Sequence, residues 1–147
     1  MRKILFVCTG NTCRSPMAEI IMKNKLKLAG VDSVRVSSAG LSAIDGEKIS
    51  KNSALALKKI GLKSYSFRSK QLTNDILKKT DIIICMTASH KAMLSGVPNV
   101  VTMAEISGQG DILDPYGGDI NVYTTTMYQI DDGCSIILEK IINQKGE

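Results

Sequence analysis

The chain has 147 residues, 44% hydrophobic and 22% charged, and its 19 Lys and Arg against 14 Asp and Glu give a formal charge of +5. That length fits one domain, residues 1–147, able to bury roughly 70% of its unfolded surface without a disulfide or metal staple. The mild positive charge suits acidic, phosphorylated partners, but no basic stripe interleaved with aromatics points to nucleic acid.

Met1-Arg2-Lys3 and the apolar residues after it imitate the start of a signal peptide, but the run is too short and no cleavage pattern follows. No segment approaches the roughly 18 apolar residues of a membrane span. Four cysteines (Cys8, Cys13, Cys85, Cys134) are spaced neither as a disulfide framework nor as paired metal ligands, so a reducing, cytoplasmic setting without metal or membrane is expected.

In chain order, residues 3–8 read as a buried strand. Ser15 suits an N-cap, Pro16 the first helical position and Gly30 the C′ position. Met17, Ile20, Ile21 and Leu28 give the helix between them an apolar face, broken by Asn24. Val34 and Val36 alternate with polar neighbours in a second strand that ends at Ser37-Ser38-Ala39-Gly40. Residues 41–48 are a loop, a helix runs from about Ser50 to Ile60 and stops at Gly61, and residues 62–72 are irregular. Thr73 caps a short helix through Lys79. Ile82 to Met86 is an unbroken apolar run, as in a parallel strand covered on both sides. Thr87 to Leu94 reads as surface helix carrying His90, and Val100 to Met103 as the last strand. A Gly-rich loop, 106–119, carries Asp114, with Asp111 and Asp119 as loop and cap residues. Tyr123, Met127, Ile130, Cys134, Ile137 and Ile141 then form one stripe of a final helix. Strands alternating with helices predict a right-handed βαβ series: an α/β domain of three layers around an open parallel sheet. Ligands bind such sheets beyond the carboxyl ends of the strands, where the loop after the first strand lies.

That loop, Cys8-Thr9-Gly10-Asn11-Thr12-Cys13-Arg14-Ser15-Pro16, runs from strand to helix, a geometry that aims backbone N–H groups into an anion site. A cysteine beside an arginine at a helix N-terminus favours the nucleophilic thiolate. Arg14 offers a planar fork for phosphate oxygens. Gly10 admits close backbone approach, and Asn11 tolerates left-handed dihedrals while its side chain braces the loop. Together these residues suggest phosphoryl transfer through cysteine. Asp114-Pro115 on its own is a turn starter whose carboxyl is a candidate general acid and base.

The run Val7 to Glu19, Val-Cys-Thr-Gly-Asn-Thr-Cys-Arg-Ser-Pro-Met-Ala-Glu, resembles the phosphate loop of the low-molecular-weight protein tyrosine phosphatases. It is most similar to the bacterial branch acting on phosphoarginine, and Asp114-Pro115 matches the family's second motif at the right distance. The resemblance implies four parallel strands in the order 2-1-3-4 with helices on both faces. It implies Cys8 as nucleophile, Arg14 as phosphate clamp and Asp114 as general acid and base, with no cofactor. Thr9, Gly10, Asn11, Thr12, Cys13, Arg14 and Ser15 would bind the phosphate of phosphorylated protein substrates. Ser15 can donate to the thiolate, and Ser38 can brace Asn11. Many members carry a loop-bracing histidine where this chain has Phe67.

Thr12 separates the two nearest readings. Tyrosine-specific relatives have an aliphatic residue there, whereas a threonine hydroxyl can accept from a guanidinium N–H. Tyr116 would line the entrance and stack on either planar group, in an Asp-Pro-aromatic-Gly-Gly pattern that resembles the arginine branch. Cys13 is either a small loop residue or, as the resemblance implies, a disulfide partner that shields Cys8 from irreversible oxidation. Cys85 and Cys134 are expected in the core. Thiol-linked arsenate reduction would need relay cysteines that Cys85 does not find nearby. A non-catalytic phosphoprotein-binding or redox-sensing module remains as a different class, though no catalytic group is missing. The expected working unit is a monomer.

Overall fold

Residues Ile4 to Cys8 are uniformly apolar because both faces of the first strand are covered. In this computed structural model, which describes residues 2–145, Ile4 through Cys8 are all buried. Met1 and residues 146–147 of the expected span lie outside the described residues. The strand β1 (Arg2–Cys8) pairs in parallel with β2 (Val34–Gly40) on one side and β3 (Ile82–Cys85) on the other, and β4 (Val100–Thr102) adds to β3. Among the described residues the sheet is thus four parallel strands in the expected order 2-1-3-4. The switch point falls between β1 and β3, at the carboxyl end of Cys8.

The side-chain period of two sorts β1 between two cores. Ile4, Phe6 and Cys8 face a larger cluster built with α1 (Arg14–Leu28), α2 (Lys51–Lys59), α5 (Met103–Ser107) and α6 (Ile120–Lys145). Leu5 and Val7 face a smaller one, to which α3 (Asn74–Lys78) gives Ile76 and Leu77 and the segment after α4 (Ala88–Ala92) gives Leu94 and Val97. Helices on both faces make three layers. The α6 stripe is as expected: Tyr123, Met127, Ile130, Cys134, Ile137 and Ile141 are all buried.

Four expectations need correction. Ser15 is not the N-cap of α1; Cys13 holds that position without a side-chain cap, and Ser15 turns inward in the first turn. The buried face of α1 is Met17, Ala18, Ile21, Met22 and Leu26, while Leu28 is exposed, because α1 is covered on two sides, by the sheet and by α6. The last strand ends at Thr102, and Met103 opens α5 inside what reads as strand and loop. Its sequence signal is Thr102-x-x-Glu105, a capping box in which Thr102 Oγ1 accepts from the Glu105 N–H (3.0 Å) and Glu105 Oε1 from the Thr102 N–H (2.9 Å). His90 is buried, not on the surface.

Glycine is demanded where the loop after β1 lies on the end of β2. A Cβ on Gly40 would come within 2.6 Å of the Thr9 carbonyl oxygen and 3.0 Å of the Asn11 nitrogen, both backbone. Gly133 in α6 would place a Cβ 2.5 Å from Met103 Cε, the movable end of a flexible side chain. Gly40→Ala should therefore cost about 2 kcal/mol or more of unfolding free energy in urea titration. Gly133→Ala should cost less, because the helix regains about 1 kcal/mol of propensity.

Candidate active site

The loop between β1 and α1 leaves its donors unspent. Among the described residues no acceptor takes a hydrogen bond from the backbone N–H groups of Thr9 through Ser15, and the first helical bond is Met17 N–H to the Cys13 carbonyl. Such a run of free donors at a helix start is an anion cradle. Its concave side is a cavity of about 280 Å³ lined by Cys8, Thr9, Gly10, Thr12, Cys13, Arg14, Asp114 and Tyr116. Eight of the residues singled out from sequence are thus brought to one opening. Asn11, Ser15 and Ser38, fully buried, lie behind it.

Those three hold the loop. Asn11 has φ +56°, the left-handed conformation that asparagine tolerates. Its Oδ1 accepts from the Lys70 N–H (2.9 Å), which fixes the amide orientation, so Nδ2 donates to Ser15 Oγ (2.8 Å) and Ser38 Oγ (2.9 Å). The Ser38 hydroxyl donates to Glu19 Oε1 (2.7 Å), and the Ser15 hydroxyl is left to donate to Cys8 Sγ, 2.8 Å away. Phe67, buried, takes no part; the Lys70 backbone and Ser38 brace Asn11 instead. Glu19 belongs to this chain of bonds although sequence reasoning assigned it no role.

Arg14 is buried, donates Nη1 to the Ile112 carbonyl (3.0 Å) and holds Nη2 3.8 Å from Asp114 Oδ2. Ile112 is buried too, and its N–H donates to the Met86 carbonyl (3.0 Å), so the loop bearing Asp114 is pinned to the end of β3. Asp114 and Tyr116 stand at the rim. The Asp114 side chain is 54% exposed and accepts at Oδ1 from the Tyr116 N–H (3.0 Å), and Tyr116 is 83% exposed. Gly10 is not required by packing: a Cβ there would meet nothing of the protein closer than Thr12 Oγ1 at 3.8 Å.

A family model described as low molecular weight phosphotyrosine protein phosphatase matches residues 3–146. The chain belongs to that family. A protein-arginine-phosphatase from Geobacillus stearothermophilus is 37% identical over 146 residues, 95% of each chain. A low molecular weight protein-tyrosine-phosphatase PtpB from Staphylococcus epidermidis is 42% identical over 135 residues, 88% of this chain and 92% of its own. The solved structure of the YwlE arginine phosphatase from Geobacillus stearothermophilus superposes with a TM-score of 0.90 at 34% identity, covering 99% of this chain and 96% of that one.

In this phosphatase, Cys85 and Cys134 lie in the core, where burial pushes the Cys85 thiol up to about 12 and the Cys134 thiol up as well. Cys8 and Cys13 are both free thiols. The Cys13 sulfur donates to Ser50 Oγ (3.4 Å) and lies 3.7 Å from the Tyr123 hydroxyl. Burial, with the Cys13 contact second, pushes the Tyr123 phenol up to about 12. Among the described residues no three His, Cys, Asp or Glu could hold a metal ion, and no helix is long and apolar enough to cross a membrane.

The residue that sequence reasoning missed is His90. Its Nε2 is 2.9 Å from Thr9 Oγ1 on the loop, and its Nδ1 is 3.0 Å from Thr87 Oγ1. The available signal is Thr87-x-x-His90: Thr87 caps α4 by accepting the His90 N–H (3.2 Å), which turns the ring inward. Burial first, and then the Arg14 charge, hold His90 below its ordinary 6.5, only partly offset by Asp114 and Asp111. It is neutral at neutral pH.

A folded-state value below the unfolded one means the unfolded chain binds the proton first, so stability falls as pH drops below the unfolded value. His90 is the only histidine. Urea titrations should therefore show a lower unfolding free energy at about pH 5.5 than at about pH 7.5. His90→Gln should flatten that slope; an unchanged slope in the variant would assign it to the carboxylates.

Proposed function

We propose that this phosphatase removes phosphate from arginine side chains of proteins through a cysteinyl-phosphate, using Cys8, Arg14 and Asp114. The observation carrying the arginine assignment is Thr12. Thr12 lines the cavity, and the only side-chain hydrogen bond of its hydroxyl among the described residues is a long one to the Cys13 sulfur, at 3.9 Å. The hydroxyl is free to accept from a substrate guanidinium N–H, which an aliphatic residue could not do. Similarity alone favours neither substrate, since relatives of both names match over most of their length. Tyr116 would stack on a guanidinium or a phenol alike, so tyrosine phosphatase activity with the same machinery is the second reading.

In the first step the Cys8 sulfur attacks phosphorus from the floor of the cavity, forming the S–P bond as the P–N bond breaks. The free N–H groups of residues 9–15 and the remaining donors of Arg14 hold the equatorial oxygens as charge spreads over them. Asp114, protonated, gives its proton to the leaving guanidine nitrogen. In the second step water attacks phosphorus and passes a proton to the Asp114 carboxylate. The S–P bond breaks, inorganic phosphate leaves and the thiolate returns to the Ser15 hydroxyl. Every group required comes from one chain, which supports a monomer, and free thiols suit a reducing cytoplasm.

Initial rates on matched phosphoarginine and phosphotyrosine peptides test the reading. The wild type should favour phosphoarginine, Thr12→Ile should lower that preference about tenfold or more through the lost hydrogen bond to a charged group, and Cys8→Ser should lower kcat at least about a thousandfold. A wild-type preference for phosphotyrosine would defeat the arginine assignment and leave the mechanism standing. Oxidation of Cys8 by peroxide to the sulfenic acid, followed by condensation with the Cys13 thiol and loss of water, would give a reducible disulfide. After enough peroxide to carry an unprotected Cys8 on to the sulfinic acid, dithiothreitol should restore the wild type but not Cys13→Ser.

A further inference from the structure

A basic groove lies behind one wall of the candidate active site. Lys48, Lys51, Lys58, Lys63 and Arg68, all exposed, line one groove of about 470 Å³ between α2 and the irregular segment after it. No carboxylate lines it, and none of the four lysines makes an ion pair among the described residues. Between these cations the walls are apolar, with Ile49, Leu55, Leu62 and Tyr65, the last 78% exposed. Arg68 Nη1 donates to the Tyr65 and Phe67 carbonyls, at 3.1 and 2.6 Å, and so holds the segment that presents the Tyr65 ring.

One end of the groove is the back of the active-site wall. Ile49 and Lys51, which line it, flank Ser50. The Ser50 N–H donates to the Thr12 carbonyl (2.8 Å), and its Oγ accepts from Cys13 (3.4 Å), while Thr12 and Cys13 line the catalytic cavity. A polypeptide with one residue in that cavity gains about 3.3–3.6 Å per residue along its course, so a few neighbouring residues bring it over α2.

We propose that this groove docks an acidic segment of the substrate protein, with carboxylates toward the lysines and apolar side chains against Leu55, Leu62 and Tyr65, adjoining the phosphorylated residue. The proposal rests on the protein-phosphatase reading. Five exposed cations, four of them lysines without an ion pair among the described residues, around a concave apolar wall match alternating acidic and apolar side chains. A nucleic-acid backbone would leave that wall unused, and it carries a single aromatic side chain on which a base could stack.

The test separates docking from catalysis. A fluorescently labelled, unphosphorylated peptide of alternating Glu and Leu is titrated with the full chain by anisotropy, and the kinetics of phosphoarginine peptides with acidic and neutral flanks are compared. Wild type should bind the unphosphorylated peptide, more weakly as salt rises, and should favour the acidic flank by about tenfold in kcat/KM. Lys58→Glu with Lys63→Glu should abolish both, whereas Lys27→Glu, exposed on another helix, should retain them. Equal loss in Lys27→Glu would reduce the effect to net charge and overturn the proposal. So would no peptide binding by wild type, or binding only to anionic lipid vesicles or an oligonucleotide under the same conditions. Peptide binding without any phosphoarginine hydrolysis would sustain the groove while defeating the arginine reading.

Discussion

The buried amide of Asn11 is the contact on which the site depends. Three segments distant in sequence meet on it: the start of α1 through Ser15, the end of β2 through Ser38, and the Lys70 backbone. Each partner fixes one atom of a side chain fully removed from water, so losing one would leave a buried polar group unsatisfied. The left-handed backbone at residue 11 turns the chain sharply, and no backbone acceptor among the described residues takes the N–H groups around it. Because the amide donates to Ser15 Oγ, the serine proton has the Cys8 sulfur as its nearest acceptor. The same network therefore holds the loop after β1 in shape and supplies a donor to the Cys8 sulfur.

The site divides into a fixed floor and an open rim. Cys8, Asn11, Arg14 and Ser15 are buried and bound from several sides, whereas Asp114 and Tyr116 face solvent. What holds the rim over the floor is Ile112, whose N–H is tied to the end of β3 and whose carbonyl is tied to Arg14. Arg14 thus lines the cavity and is at the same time a strut for the loop bearing Asp114. Burial and the Arg14 charge disfavour a proton on His90, and its contact with Thr9 ties the loop to α4.

Elements with a strong period and clear end signals are legible from sequence alone. The apolar runs at 4–8 and 82–86, the stripe of α6, the cap at Thr73 and the helix starts near Ser50 and Thr87 all fall where the sequence pattern puts them. The failures have local causes. Helix α5 has a capping box, but it is a short helix between a strand and a Gly-rich stretch, so its signal is outweighed. Ser15 and Pro16 carry a strong N-cap pattern, yet the helix starts one residue before Ser15, and the serine hydroxyl goes to Asn11 and Cys8. Local preference yields wherever a buried polar group elsewhere needs that partner.

The order of residues by itself determined which chemistry is available: a cysteine and an arginine on one short strand-to-helix loop, and a carboxyl on a distant turn. Those are properties of side-chain type and sequence spacing, and they need no knowledge of what packs on what. Only the tertiary structure decided that the Lys70 backbone joins Ser38 in bracing Asn11, and that Glu19 ends the chain of bonds. It alone decided that His90 points inward to Thr9 and that Gly40 must have no side chain. Each of these is a contact between residues some twenty or more positions apart, where neither partner's local sequence records the other, so three-dimensional packing alone can specify them.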